Sequence, residues 1–170
     1  MNTSVYRTCG DTSLQSYTEL LTILDYCNSV LYGAPASNIQ VLQRMQNNAT
    51  RIVLHALRRS HAQPLLREMH RLPIQHRIEY KVAVLTFKSH SSATAPTHLS
   101  RHIKARVSER TLRSSAVPLL DKPFTRTDFA RRAFCCSVPT VWNSLLETII
   151  SADSLSVSRL KTYIFCKAFD

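Results

Sequence analysis

The side chains that could carry out chemistry are scattered along this sequence of 170 residues. General acid–base catalysis and two-metal catalysis both need carboxylates that lie close together. The aspartates stand singly, Asp25 and Asp121 among them, and no Asp-Asp or Asp-x-Asp pair occurs. The acidic residues therefore indicate no catalytic centre, and we assign no catalytic residue.

Histidines and cysteines are the remaining candidates for metal binding or nucleophilic catalysis. His98 and His102 are four residues apart, which would place both on one helix face, as in many zinc sites. No nearby cysteine completes a ligand set, and the five cysteines show no Cys-x-x-Cys spacing. We predict no metal site, no cofactor and a reducing compartment. The sequence does not exclude a nucleophilic Cys–His pair whose members are brought together only by the fold. Cys27, however, is expected at a core position.

The positive charge of the chain is concentrated in its middle. The formal net charge is +11, and residues 51–113 hold 13 of the 22 basic residues but only three of the 11 acidic ones. All seven histidines also lie in this range. Such a field attracts polyanions, with nucleic acid as the first candidate and an anionic membrane as the second. A solvated basic face is an equally good interpretation of the charge alone.

Composition and periodicity predict a mainly α protein. Two glycines are too few for a glycine-rich phosphate loop or for a fold with many tight turns. Apolar spacing predicts helices over 14–31, 38–58, 62–70, 73–89, 97–106, 141–150 and 156–169. The strings AVPLL and AFCCSV, at 116–120 and 133–138, are interpreted as short strands that could form one β-hairpin. Trp142 is expected to anchor the C-terminal core with Phe134 and Phe165.

The helix predicted over 38–58 carries the main candidate binding surface. One face is apolar and includes Met45 and Ile52, whereas the opposite face is basic and rich in amides and carries no acid. Guanidinium groups on such a face suit phosphate, because their fork of donors matches its oxygens. The predicted nucleic-acid-binding residues, on this helix and beyond it, are Arg44, Arg51, His55, Arg58, Arg59, Arg77, Lys81 and Lys88.

Six strings occur in the same order as in one known family. They are LDYCNSVLYGAP, which opens a match over 24–51, HRLPIQHRIEYKVAVLTFK at 70–88, APTHLS at 95–100, RTLRSSAVPLL at 110–120, RAFCCSVPTVWNSL at 132–145 and SRLKTYIF at 158–165. Together they resemble the part of LINE-type (non-LTR) retrotransposon reverse transcriptases that follows the catalytic palm, most closely the chicken-repeat-like clade. The chain departs from the family pattern over its first 17 residues and at Cys135 and Leu146.

The resemblance implies three segments: a loose end over 1–17, a helical thumb-like subdomain over 18–90 and a C-terminal segment over 91–170. The family's aromatic-Ala-Asp-Asp motif, which binds two magnesium ions, is not in this sequence. Polymerase activity is therefore not carried over, and we expect no catalysis. Asp25 falls in a thumb helix of the resembling enzymes, so it is expected to cap, to pair with an arginine or to tune packing.

The sequence thus favours a truncated, non-catalytic retrotransposon product with residual, non-specific affinity for RNA or DNA. Two alternatives stay open: a helical protein–protein interaction module that uses the surface once facing a palm, and a non-functional open reading frame. We expect no membrane partner, since the sequence shows neither a signal peptide nor a transmembrane segment. The expected location is the nucleus or the cytoplasm.

Overall fold

The computed structural model describes residues 4–91, 97–106, 119–145, 147–150 and 157–170. This part of the chain is mainly helical and contains no strand or sheet, which confirms the predicted fold class. The helices are α1 (Ser4–Asp25), a 3₁₀ turn (Asn28–Leu31), α2 (Ala36–Val53), α3 (Ala62–Glu68), α4 (Ile74–Ser91), α5 (Thr97–Ser100), α6 (Asp128–Arg131), α7 (Phe134–Trp142), α8 (Glu147–Ile150) and α9 (Val157–Phe169).

The N-terminal helix differs from its prediction at both ends. It begins at Ser4, within the stretch that we expected to be a loose end. It stops at Asp25 rather than Leu31, because Cys27 takes a left-handed backbone conformation with φ 51° and the chain continues as the 3₁₀ turn. The prediction that Cys27 is a core residue is therefore wrong, and its side chain is exposed.

Helix α2 is rotated from the orientation that its apolar residues predict, so that Ile39, Leu42 and Val53 are only half-buried beside a polar centre. Gln46 and Thr50 are fully buried, whereas Met45 and Ile52, which we expected in the core, are exposed. The physical reason is the surface against which this face of α2 packs. The start of α4 presents backbone polar groups there, and these groups need hydrogen-bonding partners when they are buried.

Two glutamines of α2 supply those partners. The Gln46 Nε2 donates to the Leu72 carbonyl at 3.0 Å, and the Gln43 Oε1 accepts from the Ile74 backbone N–H at 2.8 Å. The two amides are also joined, because Gln43 Nε2 donates to Gln46 Oε1 at 3.2 Å. We call this set of bonds the glutamine latch. Because each of these bonds joins α2 to a fixed backbone group or to the other glutamine, the glutamine latch sets the position of α2 relative to the first turn of α4.

The main hydrophobic core lies on the other side of α4, where that helix packs against α7 and α9. Its members come from both sides of the predicted division at residue 90: Leu72, Val82, Ala83, Leu120, Val138, Val141, Trp142, Ile150, Leu160 and Ile164. Phe134 and Phe165 pack against this cluster, which confirms the predicted anchoring role of Trp142. The predicted closing helix is confirmed as α9.

The predicted strand over 133–138 is wrong, because these residues open helix α7. A short apolar run fits a buried strand or a buried helix equally well, so the pattern could not separate them. In the fold, α7 buries nearly its whole circumference, Pro139 included. Of the other predicted strand, residues 116–118 lie outside the described part. Leu120 forms one isolated antiparallel bridge with Ala105.

Gly33 closes the turn before α2 in a conformation that suits glycine. Its φ is +70°, and a Cβ at this position would lie 2.8 Å from the Cγ of Arg132. We expect Gly33→Ala to lower the free energy of unfolding by about 1–2 kcal/mol, measured by urea denaturation. A Gly33→Ala protein as stable as the parent would contradict this expectation.

The glutamine latch can be tested with a matched pair of substitutions on α2. Gln46→Leu leaves the Leu72 carbonyl without a partner, and we expect a loss of roughly 1–3 kcal/mol in unfolding free energy. Gln40 is exposed on the same helix, so Gln40→Leu should change stability by less than about 0.5 kcal/mol. Equal effects of the two substitutions would show that the latch does not hold α2.

Candidate nucleic-acid interface

The structure brings the predicted binding residues together at two separate places. Arg51, His55 and Arg58 line one open groove at the C-terminal end of α2, with a volume of about 660 Å³. Arg77 and Lys81 line a second, smaller pocket of about 230 Å³ beside α4. The other three predicted residues, Arg44, Arg59 and Lys88, are exposed and line neither cavity.

The groove exists because α2 ends earlier than its pattern predicts. The helix was expected to reach residue 58, but it stops at Val53 in a Schellman motif. The Ala56 N–H bonds the Arg51 carbonyl at 2.9 Å, and the His55 N–H bonds the Ile52 carbonyl at 3.2 Å. His55 takes the left-handed position, φ 48°, that glycine usually fills. The chain then turns back, so that Arg58 lines the same groove as Arg51 instead of continuing along a helix.

One guanidinium of the groove is held in place by neutral partners. The Arg51 Nε donates to the Ser60 carbonyl at 3.0 Å, and its Nη1 donates to Asn48 Oδ1 at 3.2 Å. Neither partner carries charge, so the positive charge of Arg51 is positioned but not neutralised. A pre-positioned guanidinium loses less conformational entropy when it binds an anion.

The electrostatic character of the groove is positive. Its lining, within the described ranges, contains no acidic side chain and consists of Asn48, Arg51, Ile52, His55, Ala56 and Arg58. Arg44 and Arg58 also make no ion pair with an acid in the described part of the chain. Arg44 and Arg51 are seven residues apart on α2 and therefore share a face. Phosphate oxygens are the natural ligands of such a face.

Arg77 has a different role from the one predicted. Its Nε donates to Asp25 Oδ1 at 2.9 Å, its Nη2 bonds Asp25 Oδ2, and its side chain is only 11% exposed. Asn28 Nδ2 donates to the same carboxylate at 3.1 Å. Arg77 is therefore a largely buried and paired residue, and it is not an exposed cation. The expectation that Asp25 pairs with an arginine is confirmed, and the pair ties the end of α1 to α4.

Sequence reasoning missed two other cations of the smaller pocket. Arg71 precedes α4 and Lys161 lies on α9, and both line the pocket with Lys81. They are 90 residues apart in the sequence, so only the packing of α9 on α4 brings them together. No local spacing could have signalled them.

The described residues hold no group of three or more His, Cys, Asp or Glu side chains that could bind a metal ion. His98 lies on the short helix α5, whereas His102 follows the end of that helix, and both side chains are exposed. The i, i+4 helical geometry that suggested a zinc pair is therefore not formed. None of the helices in the described ranges is long and apolar enough to cross a membrane.

Comparisons of the chain with protein-family models, with curated proteins and with solved structures return no match. The resemblance to retrotransposon reverse transcriptases therefore stays a prediction from the sequence strings.

The Asp25–Arg77 pair can be compared with an exposed pair of the same chemistry. Asp25→Asn leaves a buried guanidinium uncompensated, and because the Asp25 side chain is itself 43% exposed we expect a loss of roughly 1–3 kcal/mol in unfolding free energy. Asp128, which pairs with Arg131, is 94% exposed, so Asp128→Asn should cost less than about 0.5 kcal/mol. Urea denaturation measures both, and a smaller loss for Asp25→Asn than for Asp128→Asn would sink this assignment.

Proposed function

We propose that this chain is a thumb-like segment of the LINE-type reverse transcriptase kind that binds the backbone of RNA or DNA non-specifically and without catalysis. The observation that supports this proposal most directly is the groove at the end of α2. Arg51, His55 and Arg58 line it, and none of its described lining residues is acidic. The resemblance of the six sequence strings supports the choice of nucleic acid over other polyanions.

The physical mechanism is neutralisation of phosphates by arginine. Each phosphate contact releases condensed counterions from the nucleic acid, and this release supplies most of the free energy of non-specific binding. The groove offers guanidinium forks, from Arg51 and Arg58, that match phosphate oxygens. Binding of this kind distinguishes poorly between sequences.

The binding surface can be tested by removing Arg58, which lines the groove, together with Arg44, which lies outside it on the same face of α2 as Arg51. Arg44→Gln combined with Arg58→Gln should weaken binding to labelled duplexes about tenfold or more, by a similar factor for unrelated sequences, since each lost phosphate contact weakens all sequences alike. Neither residue makes a described hydrogen bond or ion pair, so the fold should be retained. Fluorescence anisotropy at about 0.1 M salt, where the Debye length is about 10 Å, measures the change.

The matched control removes the same charge elsewhere. Lys122 and Arg126 are exposed in the segment before α6 and line neither the groove nor the smaller pocket. Lys122→Gln combined with Arg126→Gln should leave the affinity within about threefold of the parent, because long-range attraction is screened by salt. Equal weakening by both double variants would show that overall charge binds the duplex and that the groove does not.

A second candidate function is a protein–protein interaction module, favoured by one specific observation. Val41, Met45 and Ile52 form an exposed apolar ridge on α2, and Ile52 is 66% exposed. Leu57, beside the groove, is 80% exposed. Contiguous exposed apolar surface often marks an interaction site. Association of the chain with itself or with another protein that persists at high salt and is abolished by Ile52→Asp would favour this function over nucleic-acid binding.

A further inference from the structure

The smaller pocket is built from parts of the chain that are distant in sequence. Asp25 and Asn28 line it from the end of α1 and the 3₁₀ turn, and Lys161 lines it from α9. The segment before α4 and α4 itself contribute the other residues, which are His70, Arg71, Leu72, Arg77, Tyr80 and Lys81. Its volume of about 230 Å³ lies below the range of about 300–1,000 Å³ of sites for drug-sized molecules. The size suits a compact ligand.

The charges in this pocket do not balance. Asp25 compensates Arg77, and it is the one acidic side chain among the described lining residues. The side chains of Arg71, Lys81 and Lys161 make no ion pair with a described residue. Three cations thus surround a confined volume without an ion-pair partner in the described part of the chain. A concave site with one sign of charge concentrates its field and attracts counter-ions.

A polar group in the same wall is also incompletely bonded. The Arg77 Nη1 is a buried donor that has no hydrogen-bonding partner among the described groups. Such buried polar atoms are normally satisfied by protein, water or ligand. The Tyr80 phenol also lines the pocket and is a hydrogen-bond donor at neutral pH, and burial raises its pKa further above the ordinary value.

We propose that this pocket binds a compact phosphate dianion, either free inorganic phosphate or the phosphate group of a small monoester. The dianion offers several acceptor oxygens to Arg71, Lys81 and Lys161, and its charge offsets most of theirs. The second proton of a phosphate monoester leaves with a pKa of about 6, and that of inorganic phosphate with a pKa about one unit higher. Both ligands are therefore mainly dianions at pH 8, where they are compared. The site is separate from the groove on α2, and it does not depend on nucleic-acid binding there.

The test uses ³¹P NMR titrations of the full chain with inorganic phosphate and with glycerol 2-phosphate, at pH 8 and at an ionic strength held constant with chloride. We expect the parent protein to shift or broaden at least one of the two resonances. Lys81→Gln combined with Lys161→Gln should weaken that binding tenfold or more. Lys88→Gln is the control, because Lys88 is exposed on the same helix and lies outside the pocket.

Two further variants complete the experiment. Arg71→Gln alone should also weaken phosphate binding, which covers the case in which the double lysine variant fails to fold. The groove variant, Arg44→Gln with Arg58→Gln, should bind phosphate like the parent, even if its affinity for nucleic acid is lost or was never present. The stronger of the two ligands identifies the source of the phosphate group. No binding of either ligand by the parent, or equal binding by the parent and the pocket variants, would overturn the proposal.

Discussion

The glutamine latch between α2 and α4 is the interaction on which the arrangement of both cavities depends. Gln46 and Gln43 satisfy the Leu72 carbonyl and the Ile74 N–H, and these backbone groups would otherwise be buried without partners at the start of α4. Leaving either group unpaired costs more than an apolar contact there could return. The helix therefore turns its amides inward. The Tyr17 hydroxyl, 3.2 Å from the Thr50 hydroxyl, extends this polar seam to α1.

This choice of buried face determines what α2 presents to solvent. An inward amide face leaves Met45 and Ile52 exposed and places Arg44 and Arg51 on the open side. The basic groove and the apolar ridge therefore lie side by side on α2, and both result from the same orientation of this helix. Nucleic-acid ligands commonly use both kinds of contact, because phosphates meet the cations while sugars and bases meet apolar side chains. The Asp25–Arg77 pair fixes α1 against α4 in the same region and so helps to form the smaller pocket.

The sequence predicts the helices of this protein better than their orientation. Within the helix predicted over 73–89, Ile74, Ile78 and Val82 are buried and Leu85 is half-buried, because apolar residues there meet an apolar core. The same reasoning fails on α2, where buried backbone groups outweigh apolar area. His55 and His70 each take the left-handed position after a helix, and no glycine marks either stop. Arg51, His55 and Arg58 could be named as candidate binding residues from the sequence, but the groove that they share could not be predicted. The smaller pocket could not be predicted either, because Lys161 joins Arg71 only through the fold.

The central functional claim is that charge neutralisation at the α2 groove holds nucleic acid. Its most direct test is the salt dependence of duplex binding by the unmodified protein. Contacts from two or three cations should give a slope of about −2 to −3 when the logarithm of the association constant is plotted against the logarithm of salt concentration, at about 0.9 per phosphate. Slopes should be similar for duplexes of unrelated sequence. A flat salt response, or no binding to any duplex at low salt, would contradict the claim.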